Sequence, residues 1–192
     1  MQNPRLRIVA KDFVRHYSDL WTSGKAMMVS YNKVTCVRMY EYVQEYWQEE
    51  IASLQGQIAK STSQQEVHEL NRKLKWMQET EMAVVVSQEQ NEIQTFQKWG
   101  LDILPHRAMM EKRELDKEFK DKDSKLRVVF VCAMWLTGFD VPSLATMYVY
   151  KPMESYNLMQ AIARVNRVFK DKEGGLVVDY VGIASALKQA MN

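Results

Sequence analysis

Apolar positions along this chain alternate between two rhythms, and the alternation predicts the elements. In residues 1–21, Ile8, Val9, Phe13, Val14 and Tyr17 recur at helical spacing. Gly24 breaks that rhythm, and Ala26-Met27-Met28-Val29-Ser30 reads as a short buried strand. A helix follows over 34–50, with Val37, Tyr40, Val43 and Trp47 on one face. Residues 51–82 change character: Gln, Glu, Lys and Ser dominate, and apolar positions thin out to Ile51, Leu54, Ile58, Val67, Leu70, Leu74 and Met77. That stretch predicts a helical hairpin inserted into the domain and turning near Ser61-Thr62-Ser63. Further strands are expected over 83–87, 126–132, 146–150 and 176–179, the first of them β-branched and uninterrupted. Helices are expected between and after them, over 91–99, 109–119, 157–169 and 182–191. Strands alternating with helices imply an α/β fold, a parallel sheet with helices on both faces. Ligand sites then belong at the carboxyl edge of the sheet.

Composition narrows the class without choosing the function. The chain has 192 residues, 46% of them hydrophobic, which suits one domain over 1–192 with the 51–82 hairpin as an insertion. A formal net charge of +2 is too small to argue for nucleic acid, so any such contact must come from a local patch. Cys36 and Cys132 offer no disulfide framework and no zinc spacing, and Cys132 reads as a buried thiol in an apolar strand. A reducing cytoplasm fits that usage. No apolar run approaches the roughly 20 residues needed to cross a bilayer. His16 and His68 lack partners at ligand spacing, so no metal site is expected.

The chemistry concentrates in two late blocks. Gln160, Arg164 and Arg167 are spaced i, i+4, i+7 and share one helix face. Leu158, Ile162, Val165 and Phe169 take the opposite face, because two residues rotate a helix by about 200°. Such a helix packs one side on the sheet and offers two planar, permanently charged guanidinium forks on the other, which match phosphate oxygens. Taken alone, these are also what two surface arginines on an ordinary amphipathic helix look like. The block before it alters the balance. Val128-Val129-Phe130-Val131 leads to the carboxyl edge, and Leu136-Thr137-Gly138-Phe139-Asp140-Val141-Pro142 follows. Gly138 permits close backbone approach, Asp140 accepts hydrogen bonds, and Thr137 offers a hydroxyl and an N–H suited to phosphate. What is missing matters equally. No phosphate-cradling glycine loop exists; Ser23-Gly24-Lys25-Ala26 lacks its first glycine and its magnesium-binding hydroxyl. Asp179 ends a strand but is followed by Tyr180 and reads as a cap or an internal hydrogen-bond partner. The run over 111–118 reads as a solvated charged helix face.

Together these blocks resemble motifs V and VI of superfamily 2 helicases. The closer resemblance is to the second RecA-like motor domain of the restriction (R) subunit of type I restriction-modification enzymes. It rests on Gly24-Lys25-Ala26-Met27, Asn32-Lys33-Val34-Thr35-Cys36-Val37-Arg38-Met39-Tyr40, Val84-Val85-Val86-Ser87, His106-Arg107, residues 132–142, Lys151-Pro152-Met153, residues 158–168 and residues 175–180, in that order. The resemblance implies a RecA-like sheet. It implies Arg164 and Arg167 as catalytic arginine fingers, and Gly138, Asp140 and Gln160 as nucleotide contacts. Ser30, Tyr31, Asn32, Ser87, Arg113 and Thr137 are implied as DNA contacts. It implies ATP and Mg²⁺ as cofactors, held mainly by a first motor domain that this chain lacks. The implied partners are double-stranded DNA, that first RecA-like domain, a nuclease domain of the same subunit, and the modification and specificity subunits; no membrane is implied. The complete subunit would be an ATP-dependent site-specific deoxyribonuclease, while the chain alone is expected to hydrolyse no ATP. Another superfamily 2 DNA helicase motor, or a non-catalytic α/β interaction module, is the alternative.

Overall fold

The computed structural model describes residues 3–136, 140–153, 159, 160, 162, 163, 165 and 175–182. The closing helix expected over 182–191 lies, past Gly182, outside these residues, as do Thr137, Gly138, Arg164 and Arg167.

Helix α1 (Pro4–Asp19) begins where the Asn3 side chain accepts a hydrogen bond from the Leu6 N–H at 3.2 Å and Pro4 presets the first turn. Leu6, Val9, Ala10, Phe13, Val14 and Tyr17 form its buried face. Ile8, expected among them, is 69% exposed. One residue turns a helix by about 100°, and the stripe through Val9, Phe13 and Tyr17 takes the core. Strand β1 (Lys25–Ser30) is buried throughout. Helix α2 (Lys33–Lys60) then runs unbroken through residue 50, because Ile51 and Leu54 extend the buried line of Val43 and Trp47. Helix α3 (Gln64–Glu79) folds back on it, and the Trp47 indole N–H donates to the Met77 carbonyl at 2.9 Å. The hairpin turns at Ser61-Thr62-Ser63, as the polar run implies. Ser63 accepts from the Glu66 N–H, while the Ser61 hydroxyl donates to the Glu66 carboxylate.

Strand β2 (Glu81–Val85) is followed by three short helices, α4 (Glu92–Gln97), α5 (Leu104–Lys112) and α6 (Leu115–Lys120). The single helix expected over 109–119 is thus two, with Arg113 extended at φ −117°, ψ 145° between them. The reason is rotational. Met109, Met110, Leu115 and Phe119 all pack on the same side of the sheet. In one continuous helix, five residues from Met110 to Leu115 would leave the two about 140° apart. The break re-phases the chain so that both ends bury.

Strands β3 (Leu126–Val131), β4 (Leu144–Tyr150) and β5 (Leu176–Asp179) complete a sheet of order β2-β3-β1-β4-β5, with every pair parallel. Alternate residues divide between two cores. Met28, Val84, Val128, Phe130 and Tyr148 meet α1, α2 and α3 on one face. Met27, Val29, Ala83, Val85, Val129, Val131 and Met147 meet Leu115, Phe119, Val141 and Val165 on the other. A parallel sheet covered on both faces needs strands that are apolar over most of their length, as these are.

Candidate functional site

The carboxyl edge of the sheet gathers the ends of all five strands. After β1 the chain turns to the α1–α2 face, whereas the segments after β3 and β4 bring Val141 and Val165 to the other face. Chain paths that part this way open a crevice at the carboxyl end of the central strand, the usual place for a ligand in such a sheet.

Tyr31 and Asn32 stand at that point, both exposed. The Tyr31 ring meets Tyr150 of β4 edge-on at 5.5 Å, and Arg5 lies over the same Tyr150 ring at 5.9 Å. The Asn32 side chain accepts from the Thr35 N–H at 2.8 Å and so starts α2. Ser87 is exposed at the end of β2. Asp140 is exposed between β3 and β4. Gln160 is half-buried and helical; beside it Ile162 is partly buried and Val165 fully buried on the sheet. Of the apolar stripe expected on this helix, Ile162 and Val165 therefore face the core as the spacing implies; Leu158 and Phe169 lie outside the described residues. A Cβ on Gly175, just before β5, would sit 1.8 Å from the Val165 carbonyl oxygen, so the bare glycine is what lets helix and strand approach.

Two expected surface contacts are placed elsewhere. Ser30 is fully buried, its hydroxyl turned into the core beside Cys36, where no DNA phosphate reaches it. Arg113 lies by Glu81, which opens β2, and so sits toward the amino edge of the sheet. Its guanidinium is taken by Glu81 at 2.5 Å and by Glu118 at 2.7 Å. Hydrogen bonds from these two carboxylates, Glu118 first, raise its pKa further above the ordinary arginine range.

Two residues brace the ends of the sheet more than their sequence context suggests. Arg107 forks onto both Glu92 oxygens at 2.8 Å and donates to the Val86 carbonyl at 3.1 Å. It thereby ties α4 and α5 to the end of β2, and its hydrogen bonds hold the Glu92 carboxyl below the usual range. Lys25, which mimics a phosphate-loop lysine in the sequence, is 3% exposed at the opposite edge. Its ammonium donates to the carbonyls of Glu118 at 3.1 Å, Phe119 at 2.8 Å and Asp121 at 2.6 Å, capping the end of α6. Asp179 serves as an internal hydrogen-bond partner, accepting from the Val181 N–H at 2.8 Å. Trp135, in the segment after β3, holds a left-handed φ of 67° and stacks on Phe119 at 6.0 Å. Conformations of this kind cost about 1 kcal/mol or more and persist where surrounding contacts enforce them. Among the described residues no cluster of three or more His, Cys, Asp or Glu is arranged to hold a metal ion.

The model of the family "Type I restriction enzyme subunit R domain 3" matches residues 22–182. The chain belongs to that family. The HindI type I restriction enzyme endonuclease subunit of Haemophilus influenzae is 38% identical over 191 residues, covering 97% of this chain and 16% of the relative. A Methanocaldococcus jannaschii protein described as the MjaIXP endonuclease subunit is 38% identical over 187 residues, covering 96% and 14%. The chain thus spans about one-seventh of the length of these relatives. A solved fragment described as an HsdR subunit of a type I restriction enzyme from Vibrio vulnificus YJ016 superimposes with a TM-score of 0.52 at 15% identity, covering 97% of this chain and 29% of the fragment. At that identity it shows a shared fold, the RecA-like α/β sheet of an R-subunit domain. Family membership sets aside the alternative of an unrelated superfamily 2 motor. Among the described residues no helix is long and apolar enough to cross a membrane.

Proposed function

We propose that this R-subunit domain is the second motor domain of an ATP-dependent DNA translocase, and that it completes a nucleotide site whose phosphate-gripping half belongs to a neighbouring domain of the same subunit. The observation that carries the reading is the seating of the helix through Gln160: Ile162 and Val165 fasten it to the sheet. Arg164 and Arg167 follow from the sequence at the spacing that opposes those anchors. Asp140 and Gln160 are polar groups suited to ribose and phosphate contacts, and Gly138 fits the same role by sequence. The donor set suits one side of a triphosphate. It supplies no Mg²⁺ ligand cluster among the described residues, so the metal would be held across the cleft. ATP supplies the phosphoanhydride bond whose cleavage drives the motor. The two arginines would stabilise charge developing on the transferred phosphoryl group.

Tyr31, Asn32 and Ser87 line the exposed edge and, with Thr137, are the proposed contacts to double-stranded DNA, reading backbone charge and not sequence. Ser30 would act behind them by fixing the strand end, and Arg113 by holding α5 to α6. Cleavage would belong to the nuclease domain, and site choice to the modification and specificity subunits, in the cytoplasm. The test is Arg167→Ala in the complete subunit. DNA-stimulated ATP turnover should fall by about 10³ or more while a fluorescent ATP analogue still binds. Unchanged turnover would instead support the non-catalytic interaction module.

A further inference from the structure

We propose that Cys36 and Cys132 form a thiol–disulfide exchange site for low-molecular-weight disulfides such as oxidised glutathione, with Cys132 as the attacking sulfur and Cys36 as the resolving one. The proposal does not depend on the motor reading.

The two cysteines are 96 positions apart (132 minus 36) and are brought together by the fold. Cys132 is the residue after β3, and its neighbour on the next strand is the end of β1. Cys36 lies in the first turn of α2, which packs over that edge. The register sets Cys132 beside the end of β1 on the face that carries Phe130 and Met28, and it packs against the same core as the buried Cys36. The pair is asymmetric in the way exchange chemistry requires. Cys36 is fully enclosed, whereas Cys132 is half-buried and open to solvent on one side. The Lys151 ammonium donates to the Cys132 carbonyl at 2.9 Å, and Lys33, paired with Glu89 at 2.6 Å, opens α2. The neighbouring Cys36 thiol, aided by the charges of Lys151 and Lys33, holds the Cys132 thiol below its ordinary value; burial pushes Cys36 the other way. Cys132 is therefore the readier of the two sulfurs to ionise.

The balance is complete. The Cys132 thiolate attacks one sulfur of the small disulfide, forming a mixed disulfide and expelling one small thiolate. The Cys36 thiol gives its proton to solvent or to that thiolate and attacks the Cys132 sulfur, expelling the second. Two protein thiols become one disulfide and the reagent becomes two thiols, so two electrons pass to the reagent. The product would tie the first turn of α2 to the head of the segment that leads to Asp140.

The full-length protein is incubated with oxidised glutathione in native buffer, quenched by alkylation, digested and mapped by mass spectrometry. The expected result is a Cys36–Cys132 linked peptide appearing as both free thiols disappear together. With Cys36→Ser, Cys132 should instead accumulate as the glutathione adduct, and the midpoint of its iodoacetamide alkylation against pH should move up by about one unit. With Cys132→Ser, Cys36 should stay unmodified. The wild-type map decides even if a variant fails to fold. A stable glutathione adduct on Cys132 without the link, or two thiols that stay free while retaining reactivity after unfolding, would overturn the proposal.

Discussion

Replacing Lys25 with Met removes a buried ammonium while keeping most of its volume, and it isolates one pH-dependent contribution to stability. Burial lowers the Lys25 pKa from 10.5 to about 8, partly opposed by attraction to Asp121. Between those two values the unfolded chain binds more protons at this position than the folded chain does. Stability must therefore rise with pH across the window from about 8 to about 10.5. A shift of about 2.5 units corresponds to about 3 kcal/mol, fully present as a cost below pH 8 and absent above 10.5. The variant lacks this titration. It also leaves three carbonyls at the end of α6 without their donor, of which the Phe119 carbonyl is the buried one; that loss costs about 1–3 kcal/mol at every pH. Urea unfolding of both proteins from pH 7 to 10.5 tests both parts. Wild type should gain about 3 kcal/mol relative to Lys25→Met across the window. Parallel stability curves would refute the assignment of a charged, desolvated lysine here.

The same residue shows where sequence reasoning stops. The five strands, the Ser61–Ser63 turn and the parallel sheet follow from local rhythm and turn chemistry, because mostly apolar runs have few other places to go. Ordered motifs also point to the strand ends that form the edge. The roles of Lys25, Arg107 and the two cysteines do not follow, since each depends on a partner that only the fold brings near, 15 positions away for Arg107 and more than 90 for Lys25 and the cysteines. The break at Arg113 was hidden for a related reason: the run 111–118 looks helical locally, and only the demand that Met110 and Leu115 share one face divides it. Ser30 is a DNA contact by family resemblance, yet it is fully buried where the first turn of α2 closes over it.

Three other expectations concern the edge and its supports. Arg107→Ala leaves the Glu92 carboxylate buried without its fork and should cost about 3–5 kcal/mol by urea unfolding; because Arg107 depresses the Glu92 pKa, this contribution is complete above about 4.5 and is lost as pH falls through the lower folded value. Gly24→Ala should lower the melting temperature, since Gly24 has a φ of +144° and a Cβ there would lie 2.6 Å from the Ser143 carbonyl oxygen; an unchanged melting curve would contradict that geometry. Tyr31→Ala should cost about 1 kcal/mol or less in stability yet slow DNA translocation by the complete subunit; normal translocation would remove Tyr31 from the DNA path.

The central claim is that two arginines act across a cleft on charge that exists only as phosphoryl transfer proceeds. A transition-state mimic tests it more sharply than substrate does. The affinity of the complete subunit for ADP with aluminium fluoride, compared with ADP alone, should fall by about 10³ for the mimic when Arg164 and Arg167 are changed to Ala, with ADP binding unaltered. Equal affinities of wild type and variant for the mimic would contradict the account.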